Sequence, residues 1–180
     1  MNIVVLAGGL STERDVSLNT GTMVSKALRS KGHNVIMLDV FMGYHEEEED
    51  ITDIFNHTEE ASADVAQIPG EAPDIAQVKA MRKDQSACFF GPNVIKICQA
   101  ADIVFMALHG ENGENGKIQA AFDLFGIQYT GSRYLGSALA MDKGISKKMF
   151  EAAGITTPHG IAMSKTQRHT PFSETGLTLP

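Results

Sequence analysis

Residues 2–7 form a continuous apolar run that stops at Gly8-Gly9. Such a run reads as a strand buried on both faces and ended by glycine. From Val16 to Lys31 the apolar or small residues Val16, Thr20, Met23, Val24, Ala27 and Leu28 recur at the spacing of one helical face. Gly32 supplies the helix stop, and 33–40 reads as a second strand. The opening is therefore a βαβ unit with a parallel sheet and a right-handed crossover.

From about Gly43 to Ser86 the pattern changes. The run Glu46-Glu47-Glu48-Glu49-Asp50 leads into a mixed polar segment with Pro69 and Pro73. Like charges repel, so 43–86 reads as a solvated acidic excursion, and His45 and His57 are not taken as metal ligands. Periodicity returns with a helix over Asn93–Ala100, a strand over 102–108, and a helix placing Ile118, Ala121, Phe122 and Phe125 on one face. A short strand over 126–132 follows. Asp142 then caps a helix running through Ala153, with Ile145, Met149 and Ala153 on one face and Gly154 as its stop. Residues 157–164 suggest a last strand, and the tail from Lys165 to Pro180 closes no element. The alternation of strands and helices predicts an α/β, Rossmann-like parallel-sheet fold.

Composition narrows the function classes. The chain has 180 residues, 43% of them hydrophobic, enough to bury a full core. A net charge of −7 without a basic stripe argues against nucleic acid as a partner. No apolar stretch approaches the roughly 18 residues of a membrane helix, and no basic leader precedes the first strand, so the expectation is a cytosolic protein without a membrane partner. Cys88 and Cys98 form no CxxC pair and read as packing or surface residues.

Two glycine turns sit where open α/β sheets bind ligands, at the carboxyl ends of strands. The first, Gly8 to Asp15, lacks the GxGxxG spacing of a dinucleotide site, and the chain has no GxxxxGK[ST] loop. It places Glu13 at the end of the first strand, where the carboxylate either binds an ammonium group, pairs with Arg14, or sits in water. The second turn, His109 to Gly116, carries a histidine among glycines. Gly110, Gly113 and Gly116 permit a nest of N–H groups around an anionic oxygen, with the imidazole as a further donor. Lys143 is notable because a cation in the first turn of a helix opposes the dipole unless an anion is bound close by.

Gly8-Gly9-Leu10-Ser11-Thr12-Glu13-Arg14-Asp15-Val16-Ser17-Leu18, the run His109 to Gln119, Tyr129-Thr130-Gly131-Ser132 and Ser137-Ala138-Leu139-Ala140-Met141-Asp142-Lys143 together resemble the amino-terminal half of D-alanine-D-alanine ligases. The resemblance covers 2–42 and 87–164. It departs mildly at Asp15, where family members usually have Glu, and at Asn115 after Glu114, where they usually have Asp.

The resemblance implies an ATP-grasp enzyme of peptidoglycan precursor synthesis that joins two D-alanines through a D-alanyl phosphate. Residues 1–141 would form the preATP-grasp domain, and 142–180 the truncated start of the ATP-grasp domain. Glu13 would bind the ammonium of the first D-alanine, Val16 would line its pocket, His109 would lie beside the reacting carboxyl, and Lys143 would reach ATP. Two Mg²⁺ ions would take part, with ligands beyond Pro180, and the family implies a homodimer. The resemblance leaves D-alanine, D-lactate and D-serine open as second substrate. A chain without the metal ligands is expected to be inactive alone, as a fragment or a non-catalytic binding module.

Overall fold

The computed structural model describes residues 1–44, 51, 53–56 and 70–177. Three strands, β1 (Asn2–Ala7), β2 (Asn34–Asp39) and β3 (Ile103–Met106), form a parallel sheet in the order β2-β1-β3. Asn2 pairs with Asn34 and Ala7 with Asp39 on one side, while Ile3 to Leu6 pair with Ile103 to Met106 on the other. The α/β class with a parallel sheet is as expected. Because β1 is central, its carboxyl end looks onto the turns that follow both neighbours.

The pleat divides the core into two layers. Val4 and Leu6 face Ile36, Leu38, Val104, Ile97, Ile118 and Phe122, under α3 (Val94–Ala100) and α4 (Lys117–Phe125). Ile3, Val5 and Ala7 face the opposite layer, under α1 (Arg14–Arg29). Alternation along one doubly buried strand thus builds a helix–sheet–helix sandwich.

The apolar spacing placed α1 correctly in the chain and set Val24 and Leu28 against the core, but it missed the most deeply buried positions. Ser17, Asn19, Gly21, Thr22 and Ser25 are buried, whereas Met23 is 52% exposed and Ala27 is exposed. The reason is distance: a Cβ built at Gly21 would lie 2.8 Å from the Cβ of Ala7. Ser17, Gly21 and Ser25, spaced by four, let the helix press against the sheet where a larger face could not fit.

Other expectations change as well. The strand expected over 126–132 reduces to one parallel bridge, Val104 to Tyr129, flanked by Gln128 and Thr130 bonding to the Val104 backbone. No strand forms over 157–164, since no neighbouring strand pairs with it among the described residues. Single 3₁₀ turns instead mark the tail at Lys165–Gln167 and Phe172–Glu174. An unexpected helix, α5 (Tyr134–Met141), precedes α6 (Lys143–Ala152), and neither buries a residue, so the face expected at Ile145 and Met149 is exposed. On α4, Gln119 is buried in place of Phe125, which is 48% exposed.

The segment 43–86 is not simply solvated. Its described part contains α2 (Ile75–Met81), and Ile54, Phe55 and Val78 are buried. Arg82 is only 2% exposed: its guanidinium donates to the carbonyls of Ser86 and Cys88 at 2.6 and 2.7 Å, pairs with Asp84 at 2.5 Å, and lies 4.4 Å over the Phe41 ring. One buried cation with several acceptors fastens the returning chain to the end of β2. The acidic run, His45 and His57 lie outside the described residues. No described helix is long and apolar enough to cross a membrane.

Candidate functional site

The turns after β1 and β3 are tied together by serine hydroxyls. Ser11 Oγ donates to the His109 carbonyl at 2.7 Å and accepts from the Glu13 N–H at 3.1 Å. Ser17, fully buried in the first turn of α1, donates to the Ala107 carbonyl at 2.8 Å and accepts from the Gly8 N–H at 2.9 Å. Both hydroxyls satisfy groups that the end of a parallel ladder would leave open. They also fix the two turns against each other. Neither serine stood out from the sequence, although serine at the buried spacing of a helix is a signal of this kind.

Glu13, His109 and Glu114 converge, each offering one ligand atom within 4.8 Å of the others. Gly110, at φ +74°, makes this approach possible: a Cβ there would meet Ser11 at 3.1 Å and the Glu13 carboxylate at 3.6 Å. Arg14, the alternative partner of Glu13, is engaged elsewhere. Its guanidinium donates to the Gly9 carbonyl at 2.8 Å and forms an ion pair with Asp39 at the end of β2. Asp39 in turn accepts from the N–H groups of Phe41 and Met42 at 2.9 and 3.1 Å. The exposed Glu13 carboxylate is thus open to a ligand cation.

The His109 ring is half-buried, with Nε2 lying 3.0 Å from the Thr20 hydroxyl on α1. Val16 stands in the first turn of that helix, and its carbonyl accepts from the same hydroxyl at 3.0 Å. The nest expected in the glycine turn is partly used up, because the Glu114 N–H bonds to the Gly110 carbonyl and the Lys117 N–H to the Asn115 side chain. Gln119 reaches back to the Gly113 carbonyl at 2.7 Å and braces the turn.

Lys143 stands on α6, its ammonium donating to the Ala140 carbonyl at 2.9 Å. That carbonyl belongs to the last turn of α5, where a cation is favoured by the dipole, and the Asp142 side chain caps the Ile145 N–H at 2.9 Å. A cation at the start of α6 therefore has a local explanation.

The site combines exposed carboxylates, an imidazole and the amino end of the 16-residue helix α1. Carboxylates attract an ammonium, while the imidazole and a helix amino end favour a carboxylate, so a zwitterion fits the set better than a simple anion or cation. The cluster does not suit Mg²⁺, which demands oxygen ligands in octahedral geometry; an imidazole between two glutamates departs from that.

The profile of a family described as "D-ala D-ala ligase N-terminus" matches residues 2–132. The chain belongs to this D-alanine-D-alanine ligase family. It is 45% identical over 160 residues to the D-alanine–D-alanine ligase of Lacticaseibacillus casei, covering 87% of the chain and 43% of that enzyme. The chain thus spans a little under half the length of this relative. Among solved structures, the D-alanine–D-alanine ligase of Bacillus anthracis complexed with ATP superposes with a TM-score of 0.52 at 25% identity, covering 88% of the chain and 39% of that one. The VanG D-Ala:D-Ser ligase of Enterococcus faecalis gives 0.57 at 29% identity, over 99% and 50%. Both turns with Glu13 and His109 lie inside the family match.

Proposed function

We propose that this chain is the amino-terminal, substrate-binding portion of an ATP-dependent D-alanine-D-alanine ligase, and that Glu13 and His109 hold the first D-alanine. The observation that carries this reading is the convergence of Glu13, His109 and Glu114 within 4.8 Å, with Arg14 drawn off to Asp39. Glu13 takes the substrate ammonium. His109 lies beside the carboxyl group and stabilises charge there, and Val16 lines the pocket. Fixing both polar ends of an α-amino acid leaves its methyl one direction, which supplies the choice of hand.

A carboxylate is a poor electrophile, and ATP supplies the phosphoryl group that turns one of its oxygens into a leaving group. Lys143 is the one residue assigned here to the nucleotide, at the start of an ATP-grasp portion covering 142–180. The family resemblance puts the Mg²⁺ ligands beyond this chain, and the intact ligase is read as a cytoplasmic homodimer. The L. casei relative supports D-alanine as the second substrate, while the likeness to a D-Ala:D-Ser ligase keeps D-serine as the competing one.

The test is a titration of the isotope-labelled chain with D-alanine and L-alanine. D-Alanine is expected to shift the signals of Glu13, His109 and Gly110 at lower concentration than L-alanine. Equal response to both hands, or none at these residues, overturns the reading. The chain alone is expected to release no phosphate from ATP in the presence of D-alanine, and any such release would refute the assignment of catalysis to a longer protein.

A further inference from the structure

Thr20 sits inside α1, where its hydroxyl makes two contacts at once. Oγ1 donates to the Val16 carbonyl at 3.0 Å and lies 3.0 Å from His109 Nε2. A threonine hydroxyl has one hydrogen and two lone pairs, and a neutral imidazole has one N–H and one bare nitrogen. With the hydroxyl hydrogen on Val16, the contact to His109 is a hydrogen bond only if Nε2–H donates and Oγ1 accepts. The opposite arrangement, with Thr20 donating to a bare Nε2, gives up the bond to Val16.

We propose that Thr20 is a positioning residue that holds His109 in the Nε2–H form and leaves Nδ1 as the ring nitrogen that meets the ligand. Its role in substrate handling rests on the reading above, that an amino-acid carboxyl group lies beside His109; Nδ1 donates to that group in the imidazolium form, since a bare Nδ1 lone pair would repel a carboxylate. The ring is held at Nε2, and the His109 backbone is held independently by Ser11. Imidazolium keeps Nε2–H as well, so the bond to Thr20 is the same in both charge states. With Nε2 committed to Thr20, a change of charge on the ring does not turn it, and Glu13 and Glu114 are the titratable groups that converge on His109. The second-site hydrogen bond thus decides which nitrogen is functional.

The test is a ring ¹⁵N–¹H correlation spectrum of the ¹⁵N-labelled chain in alkaline buffer, where imidazole is neutral. It is recorded without substrate for the wild type, Thr20→Val and Thr20→Ser. The expected result is a His109 hydrogen on Nε2 whose exchange with water is at least about tenfold slower in the wild type and Thr20→Ser than in Thr20→Val, the loss following removal of one hydrogen bond. A hydrogen on Nδ1 in the wild type overturns the proposal, even if Thr20→Val does not fold. Equal exchange in the wild type and Thr20→Val also overturns it. Because no substrate is added, failure to bind D-alanine would sink the substrate reading and leave the Thr20 assignment standing.

Discussion

Arg14 forms its ion pair with Asp39, at the carboxyl end of the neighbouring strand, and not with the glutamate beside it in sequence. Asp39 is also bonded by the backbone of Phe41 and Met42, so the pair belongs to a rigid corner. The arginine that could have neutralised Glu13 is occupied. Of the three fates the sequence left for Glu13, the local ion pair is removed by the reach of one guanidinium across the sheet edge, which leaves a ligand ammonium or water.

Glu13→Gln should therefore weaken D-alanine binding by about 1.5–3 kcal/mol, the worth of a hydrogen bond to a charged group, or roughly ten- to a hundredfold in Kd. Titration calorimetry reads this directly. The thermal midpoint should not fall, because the exposed carboxylate sits on the surface of the fold.

Ser17→Ala should cost about 1–3 kcal/mol in stability, since it leaves the Gly8 N–H and the Ala107 carbonyl without their buried partner. Urea unfolding measures the loss. A cost near zero would mean that water replaces the hydroxyl.

Arg82→Leu is expected to destabilise by about 2–3 kcal/mol, toward the lower end for breaking a buried charge pair because Asp84 is part exposed. Arg82→Lys should recover less than half, as a single ammonium cannot reproduce a planar fork bonded to Ser86, Cys88 and Asp84. Equal stability of the lysine variant and wild type in urea would contradict this account.

The two thiols should behave differently. Cys88 is exposed, whereas burial pushes the Cys98 thiol up from 9.0 to about 12. A disulfide reagent at neutral pH should modify one thiol per folded chain and the second only after unfolding. The folded pKa lies above the unfolded one, so the stability linked to this thiol is complete below pH 9 and lost as pH rises toward about 12. Cys98→Ala should remove that component of alkaline destabilisation.

Much of the scaffold was legible from periodicity. The unbroken apolar runs gave β1 and β2 because doubly buried strands have no polar face, and the glycine turns marked where β1 and β3 end. The face of α1 was only partly legible because its closest contact with the sheet uses Ser17, Gly21 and Ser25, which carry little hydrophobic signal. The repeat of small residues at every fourth position was the available clue. Residues 157–164 have strand-like composition but no strand beside them among the described residues, and composition cannot supply a partner. Arg82 was missed since a buried arginine depends on where the chain returns, which local pattern does not encode. Glu13 and His109 were found in their turns, but Thr20 had been counted only as one more position on a helical face.

The hydrogen bonds of Ser11 to His109 and Ser17 to Ala107 link residues 98 and 90 positions apart in sequence. Neither turn brings Glu13, His109 and Glu114 together by itself. A synthetic peptide copying either glycine motif would present its residues without the opposing wall, and should be inert toward an amino acid. In folding, the proposed site has to wait until β3 has docked beside β1, so affinity should emerge late, with the closing of the sheet, after α1 has formed.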